Sequence, residues 1–531
     1  MTRAVAPDAL AAMLVDGEEL ALLDVREEGA HAGGHLLFAS SLPLSRLELR
    51  LADMLPREGV RIVVCDGDGG GLAARAARRL ADLGYTDTAI LEGGCAGWAA
   101  SGRELFSGVH VPSKAFGEMV EHHHATPRIT ARELHAKQAA GEDLVILDSR
   151  PMGEFEVMSI PGGIDCPGAE LAYRVHDLAP SSETLVVVNC AGRTRSIIGA
   201  QSLLNAGIPN PVVALENGTM GWHLAGLELA RGKTQRYGAL SPEGLEKART
   251  AAARVRARFG VPVIGMADLD SWRAEAGTRS LYIIDVREAA EYEAGHLAGS
   301  FHAPGGQLVQ ETEAYVGARN ARIALIDGTG VRAAMTASWL VQMGWPEVAV
   351  VEGALQAGPI ETGPRRAPIP GLDAAEAALV TAADIETGGD VVVDVGSSRA
   401  YRAGHIPGAW FAVRARLEAA LSKPPAEGRL VFTSSDGILA RFAATEAAAL
   451  TTRPVAALDG GTDAWCATGL ALAQVPEQMA SEDDDAWLKP YDHESGQEQR
   501  MRDYLAWETA LIPAVERDGC ARFRLFPDTA N

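Results

Sequence analysis

Cysteine is scarce in this sequence: 531 residues hold six, Cys65, Cys95, Cys166, Cys190, Cys466 and Cys520, with no Cys-x-x-Cys pair. That sparsity excludes a dense disulfide framework and fits reduced thiols in a cytoplasmic setting. Positive charge is also short, since 48 Lys and Arg against 70 Asp and Glu leave a formal charge of −22. Such a balance argues against nucleic acid and anionic membrane surfaces as partners, and any anionic ligand must be attracted locally. The N-terminal stretch lacks an unbroken apolar run, because Asp8, Asp16, Glu18 and Glu19 punctuate it. Neither a signal peptide nor a membrane span is expected. What the chain does have is length for several domains, 47% hydrophobic residues to fill their cores, and repetition.

An apolar run ending in Asp occurs four times, at Asp24, Asp148, Asp285 and Asp394. Eleven positions after each stands His35, Ser159, His296 or His405. A second apolar strand then ends at Cys65, Cys190, Asp327 or Ser434, 40 to 42 residues beyond the Asp, and this spacing reads the four as equivalent. Each unit closes on a strand and turn, such as Leu91-Glu92-Gly93-Gly94 or Leu215-Glu216-Asn217-Gly218. The short apolar runs suit central strands of a parallel sheet buried on both faces. Helices are expected over residues 72–83, 196–205, 332–343 and 441–450, each beginning beside the end of that second strand. The fold class is therefore α/β, with four tandem domains, each a mostly parallel sheet flanked by helices.

Asp285-Val286-Arg287 through Glu291-Tyr292 to Gly295-His296-Leu297, and Gly404-His405-Ile406-Pro407-Gly408-Ala409, are the best-preserved forms of this pattern. On these motifs each unit resembles a rhodanese domain, over about four-fifths of the chain. The resemblance implies a small α/β domain and, in some members, sulfur transfer through a cysteine persulfide. Members without the cysteine serve as binding or structural modules. The expected domains are 1–104 (inactive), 126–230 (catalytic), 262–358 and 376–475 (both inactive), followed by a tail, 476–531, whose residues 500–515 suit a docking helix. Residues 101–126, with Pro112, Gly117 and the run His122-His123-His124, read as a linker. A Pro-started helix is expected from Pro242 after Ser241, and residues 358–371 read as a further linker.

Comparison of the four loops locates the chemistry. Cys190-Ala191-Gly192-Arg193-Thr194-Arg195-Ser196 joins a thiol at a strand end, a permissive glycine, two cations and a helix start. A helix N-terminus with free N–H groups favours an anion there, so the Cys190 pKa is expected to fall and the thiolate to act as nucleophile. Ala191, Gly192, Arg193, Thr194, Arg195 and Ser196 are the expected substrate-binding residues. The loop at Cys65 carries Asp66 and Asp68, whose carboxylates should raise its thiol, and the loops at Asp327 and Ser434 have no thiol. A cysteine phosphatase needs Cys, five residues and then Arg, but that position is Ser196. Arg195 closes a shorter ring, which resembles sulfurtransferase loops.

The expected activity is double displacement: Cys190 takes the outer sulfur of thiosulfate or a related donor and passes it from a persulfide to cyanide or a thiol, without cofactor or metal. A protein acceptor is a further partner class. The competing reading is a scaffold or sulfur carrier with little turnover. Asp148, Arg150 and Glu154 have counterparts in domains without a nucleophile, so they read as a structural ion-pair network. The Gly-His residues read as structural because Ser159 replaces the His in the catalytic unit. His122–His124 read as a solvated linker, and Trp222 as core.

Overall fold

The computed structural model describes residues 3–385, 389–475 and 478–527. These form two compact units. The first comprises residues 1–8, 22–109 and 367–487, and the second residues 9–21, 110–366 and 488–531. Most of the first repeat thus shares one unit with the fourth, while residues 9–21 fall in the other unit with the second repeat, the third and the tail from residue 488.

One sheet plan recurs. In the second repeat the strand order is Arg128–Ile129, Val212–Leu215, Leu185–Asn189, Leu144–Asp148, Ile164–Asp165, every pair parallel. The third repeats it with Val263–Ile264, Glu347–Val351, Arg322–Ile326, Leu281–Asp285 and Phe301–His302. The fourth does so with Ala378–Val380, Val455–Leu458, Arg429–Thr433, Asp390–Asp394 and Trp410–Phe411. In the first, Arg3–Val5, Thr88–Leu91, Ile62–Cys65 and Leu20–Asp24 take the same order, with Ser40–Ser41 beside the last. Central strands such as Leu185–Asn189 are apolar at successive positions because helices cover both faces, and Val186, Val187 and Val188 are fully buried. The turn after the strand Val212–Leu215 needs glycine: at Gly218 (φ +55°) a Cβ would stand 2.2 Å from the Cys190 carbonyl oxygen.

The helices after the second strand are Gly71–Asp82, Thr194–Ala206, Val331–Gln342 and Ile438–Ala448. The second begins two residues ahead of Ser196. Pro242–Phe259 forms as the Ser-Pro start indicates, with Ser241 Oγ accepting the Gly244 N–H at 2.9 Å and Gly260 left-handed at its end. Trp222 is core, buried with Ile146 and Leu215.

Two expectations need correction. Residues 101–126 are not a plain linker: Val111–His124 is a helix, with Pro112 in its first turn. Its Phe116 and Val120 pack with Ile197 and Ile198. Gly117, which suggested a break, instead lets Thr194 approach, since a Cβ there would lie 2.9 Å from Thr194 Cγ2. The three histidines end this helix rather than float in a loop. The tail carries two helices, Gln497–Thr509 and Leu511–Asp518, rather than one. Its expected first residues, 476 and 477, lie outside the described residues.

Candidate active site

Cys190 follows the last residue of the strand Leu185–Asn189 and faces the first turn of Thr194–Ala206, where backbone N–H groups lack intrahelical partners. Its Sγ lies 3.5 Å from Ser196 Oγ, which donates in turn to the Arg193 carbonyl at 2.7 Å. Burial is nearly complete, at 2% exposure. The expected fall in pKa is not what this environment produces. Desolvation pushes the thiol up from its ordinary value, and the Glu508 carboxyl pushes it further. The Arg195 charge and the Ser196 hydroxyl and N–H pull it down without cancelling the rise.

The two arginines divide. Arg195 forms a two-pronged pair with Glu154 (3.2 and 2.8 Å) and donates to Gln307 at 3.1 Å, while its charge still reaches Cys190. Arg193 turns to the helix Val111–His124, where its Nε and Nη2 donate to Glu118 at 2.6 and 2.8 Å and Nη2 also meets Glu121. Asn217 takes its remaining prong at 3.3 Å. Arg193 therefore braces the loop. Asp148 and Arg150 do form a buried pair, at 2.8 and 2.7 Å, and Asn189 Nδ2 donates to Asp148 at 2.9 Å. Glu154 is bonded instead to Arg195.

The remaining wall came from places the sequence pattern did not connect. A Cβ on Gly192 would meet Met220 Cε at 3.0 Å, Glu508 Oε2 at 3.2 Å and Tyr504 Cε1 at 3.3 Å, so the helix Gln497–Thr509 lies on the loop. Thr194 Oγ1 donates to Glu508 Oε1 at 2.8 Å, and Oε2 is buried without a hydrogen-bond partner. Burial raises the Glu508 pKa. Lys114 Nζ sits over Tyr504 and Trp507, 5.4 and 5.2 Å from their centroids, and burial lowers its pKa to about 8. Lys489 reaches Glu154 Oε1 at 3.3 Å. Neither Lys114 nor Glu508 lies in a repeat motif; the apolar spacing of residues 500–515 was the one available sign of a docking face.

Backbone register corrects the alignment of the loops. The N–H groups of Val25, Ser149, Val286 and Val395 donate to the carbonyls of Cys65, Asn189, Ile326 and Thr433. Those of Cys95, Thr219 and Thr462 donate to Asp66, Cys190 and Ser434. Cys65 is thus the counterpart of Asn189, and Asp66 occupies the Cys190 position. Spacing alone agrees with this register, since Asp66, Cys190 and Asp327 each stand 42 residues beyond their Asp; pairing cysteine with cysteine at 41 had set it one residue off. Asp66 accepts the Gly69 and Ala73 N–H groups at 2.6 and 2.8 Å, and Asp327 those of Thr329 and Arg332 at 3.1 and 2.7 Å. Ser434 Oγ accepts that of Ala440 at 3.3 Å. In each of these domains the side chain at the Cys190 position fills its own amide cradle. Asp66 and Asp68 do not explain the Cys65 thiol: contact with Cys95, burial and Asp24 push it up.

His35, His296 and His405 stack on His31, Tyr292 and Tyr401, with centroids 3.8 to 3.9 Å apart, and each Nδ1 bonds the carbonyl of that residue. They are structural.

A parallel sheet whose second strand ends at an anion-holding loop, closed by the next helix, defines the class of a small α/β thiol-transfer or binding domain. The chain belongs to the rhodanese-like family: the rhodanese-like domain model matches residues 6–101, 130–225, 267–358 and 379–468. Among solved structures, a thiosulfate sulfurtransferase from Pseudomonas aeruginosa is 48% identical, with TM-score 0.95 over 99% of this chain and 100% of that one. An anaerobic ergothioneine biosynthesis enzyme from Chlorobium limicola is 17% identical, with TM-score 0.24 over 69% of this chain and 100% of that one. An HTH-type transcriptional regulator of Mycobacterium tuberculosis is 32% identical over 110 residues, 21% of this chain. The match covers 47% of that regulator, so the chain spans about half the length of the curated relative it matches.

Proposed function

We propose that the protein is a rhodanese-type sulfurtransferase acting through Cys190. The similarity to the thiosulfate sulfurtransferase of Pseudomonas aeruginosa supports the reaction class. The observation that carries the site is the loop comparison: the cradle that holds a carboxylate at Asp66 and at Asp327 holds a thiol at Cys190. A pocket that stabilises one anion at that position can stabilise a thiolate there.

In this reading the catalytic domain is 126–230, and 1–104, 262–358 and 376–475 are non-catalytic. Cys190 thiolate attacks the outer sulfur of thiosulfate or a related sulfane donor. The sulfur–sulfur bond breaks, sulfite leaves with the bonding pair, and a Cys190 persulfide remains. Cyanide or a thiol, free or on a protein, then takes the outer sulfur and returns the thiolate. Backbone N–H groups of Ala191, Gly192, Arg193, Thr194, Arg195 and Ser196 hold the anions. Arg195 supplies the charge, and Arg193 keeps the loop in shape against Glu118. A donor reaches the thiol when Tyr504 and Met220 yield over Gly192. Among the described residues no helix is long and apolar enough to cross a membrane. Thiol chemistry of this kind suits the cytoplasm.

The test is intact mass after incubation with thiosulfate, then peptide mapping. One added sulfur on Cys190, lost on adding cyanide with release of thiocyanate, is expected. Thiocyanate formation unchanged in Cys190→Ala excludes the assignment.

A further inference from the structure

A second pair of thiols lies apart from the Cys190 site, in the first repeat. Cys65 ends the strand Ile62–Cys65, and Cys95 is the second residue of the helix Gly94–Ala100. The backbone ties them together, since the Cys95 N–H donates to the Asp66 carbonyl at 2.8 Å and the Ala96 N–H to that of Gly67 at 2.9 Å. Both sulfur atoms and a carboxylate oxygen of Asp24 lie within 4.8 Å of one another, all buried. An internal comparison shows that the fold itself makes this contact. By the register given above, Thr433 and Thr462 are the counterparts of Cys65 and Cys95, and their hydroxyls meet at 3.0 Å. The first domain fills the same two facing positions with thiols.

Asp24 is already engaged. Its Oδ1 accepts the Arg26 N–H and Nε at 3.1 and 2.9 Å, and its Oδ2 accepts Arg26 Nη2 at 2.6 Å and meets His31 Nδ1 at 3.0 Å. A guanidinium therefore stands where a third metal ligand would need free lone pairs, and this leaves a dithiol rather than a cation site. The two thiols are unequal. Their mutual hydrogen bond pushes Cys65 up, reinforced by burial and Asp24, and pulls Cys95 down. Cys95 is also the more exposed of the two, at 4% against 0%. The adjoining loop has Gly67, Gly69, Gly70 and Gly71, with Gly67 and Asp68 exposed.

We propose that Cys65 and Cys95 form a dithiol–disulfide couple that reacts with low-molecular-weight disulfides. Cys95 thiolate attacks one sulfur of such a disulfide, whose sulfur–sulfur bond breaks, and a small thiolate leaves. Cys65, losing its proton, then attacks the Cys95 sulfur of the mixed disulfide and expels the second small thiolate. The protein loses two electrons and two protons, and the small disulfide is reduced to two thiols.

The experiment equilibrates the reduced full-length protein with mixtures of reduced and oxidised glutathione, alkylates free thiols, digests without reduction and maps the peptides. A Cys65–Cys95 cross-linked peptide that rises with the oxidised fraction to saturation is expected. It should be absent from Cys65→Ser and Cys95→Ser, with Cys95 of Cys65→Ser carrying a glutathione adduct instead. The fourth domain's paired hydroxyls indicate that both variants keep the fold, which melting curves check. Full alkylation of both thiols throughout, or adducts in the wild type without the cross-link, overturns the proposal. So does stoichiometric zinc in the isolated protein that either variant loses.

Discussion

The loops of the second and third domains share their scaffolding and differ at its centre. Each follows a buried Asp–Arg pair, Asp148–Arg150 or Asp285–Arg287, and each has an arginine in its first helical turn bonded to a glutamate, Arg195 to Glu154 and Arg332 to Glu291. In the third domain the centre is the Asp327 carboxyl, which accepts the Arg332 N–H at 2.7 Å and its guanidinium at 3.2 Å. Glu170 takes the same arginine at 2.7 Å. In the second domain the centre is a thiol, an anion only when it loses a proton. The lesson is that the family's cradle is an anion holder, and that the residue at one position decides whether the anion is part of the protein or part of the reaction. The surroundings differ as well: Asp327 lines a cavity of about 380 Å³ with Arg249 and Arg256, whereas Cys190 is covered by the tail.

The sharpest way to break this comparison is to turn one loop into the other. Cys190→Asp should fold normally, because Asp327 shows the cradle accepts a carboxylate, and thiocyanate formation should drop by about 10³-fold or more, the scale of losing a covalent nucleophile. Measurable persulfide chemistry in that variant would sink the assignment.

Arg195→Ala removes the cation that pulls the Cys190 thiol down. Turnover should fall by about 10²-fold, and the thiol midpoint, read from alkylation rate against pH, should move up. An unmoved midpoint would show that Arg195 serves Glu154 alone.

Arg193→Ala separates bracing from chemistry. It leaves Glu118 buried without its partner, so stability in urea should fall by about 3–5 kcal/mol. Persulfide formation by the folded fraction should change by less than about threefold.

The cover over the loop predicts smaller effects. Tyr504→Ala should speed alkylation of Cys190 in the folded protein several-fold; an unchanged rate would show that Tyr504 does not limit access to the thiol. Glu508→Gln removes a carboxyl whose ionised form opposes a second negative charge at the thiol. The Cys190 alkylation midpoint should therefore move to lower pH; a move upward would show that Glu508 aids ionisation.

Much of this was readable along the chain. The four Asp-ended runs, the buried strands and the Ser241–Pro242 helix start depend on neighbours within a few residues, and the local pattern carries them. The fifth-position arginine of the loop was equally visible. Cys65 was misplaced by one residue because cysteine was matched with cysteine: the strict 42-residue spacing already pairs Asp66 with Cys190 and Asp327, and the bonds from Val25 and Cys95 fix that register. The helix Val111–His124 was hidden behind Pro112 and Gly117, whose breaker reading holds only if no neighbouring helix needs the space. The expected low pKa at Cys190 weighed the helix N-terminus and two charges but not desolvation, which depends on Tyr504 and Glu508 more than three hundred residues away.

By itself, then, the sequence determined the repeated α/β plan and which loop carries a thiol beside Arg195, since periodicity, turn residues and side-chain chemistry act over short stretches. Tertiary structure alone decided where Arg193 points, what covers Cys190, and that Cys65 faces Cys95. Those outcomes depend on burial and on contacts between segments far apart in the chain, and the energy of a charge or a thiol is fixed by what surrounds it.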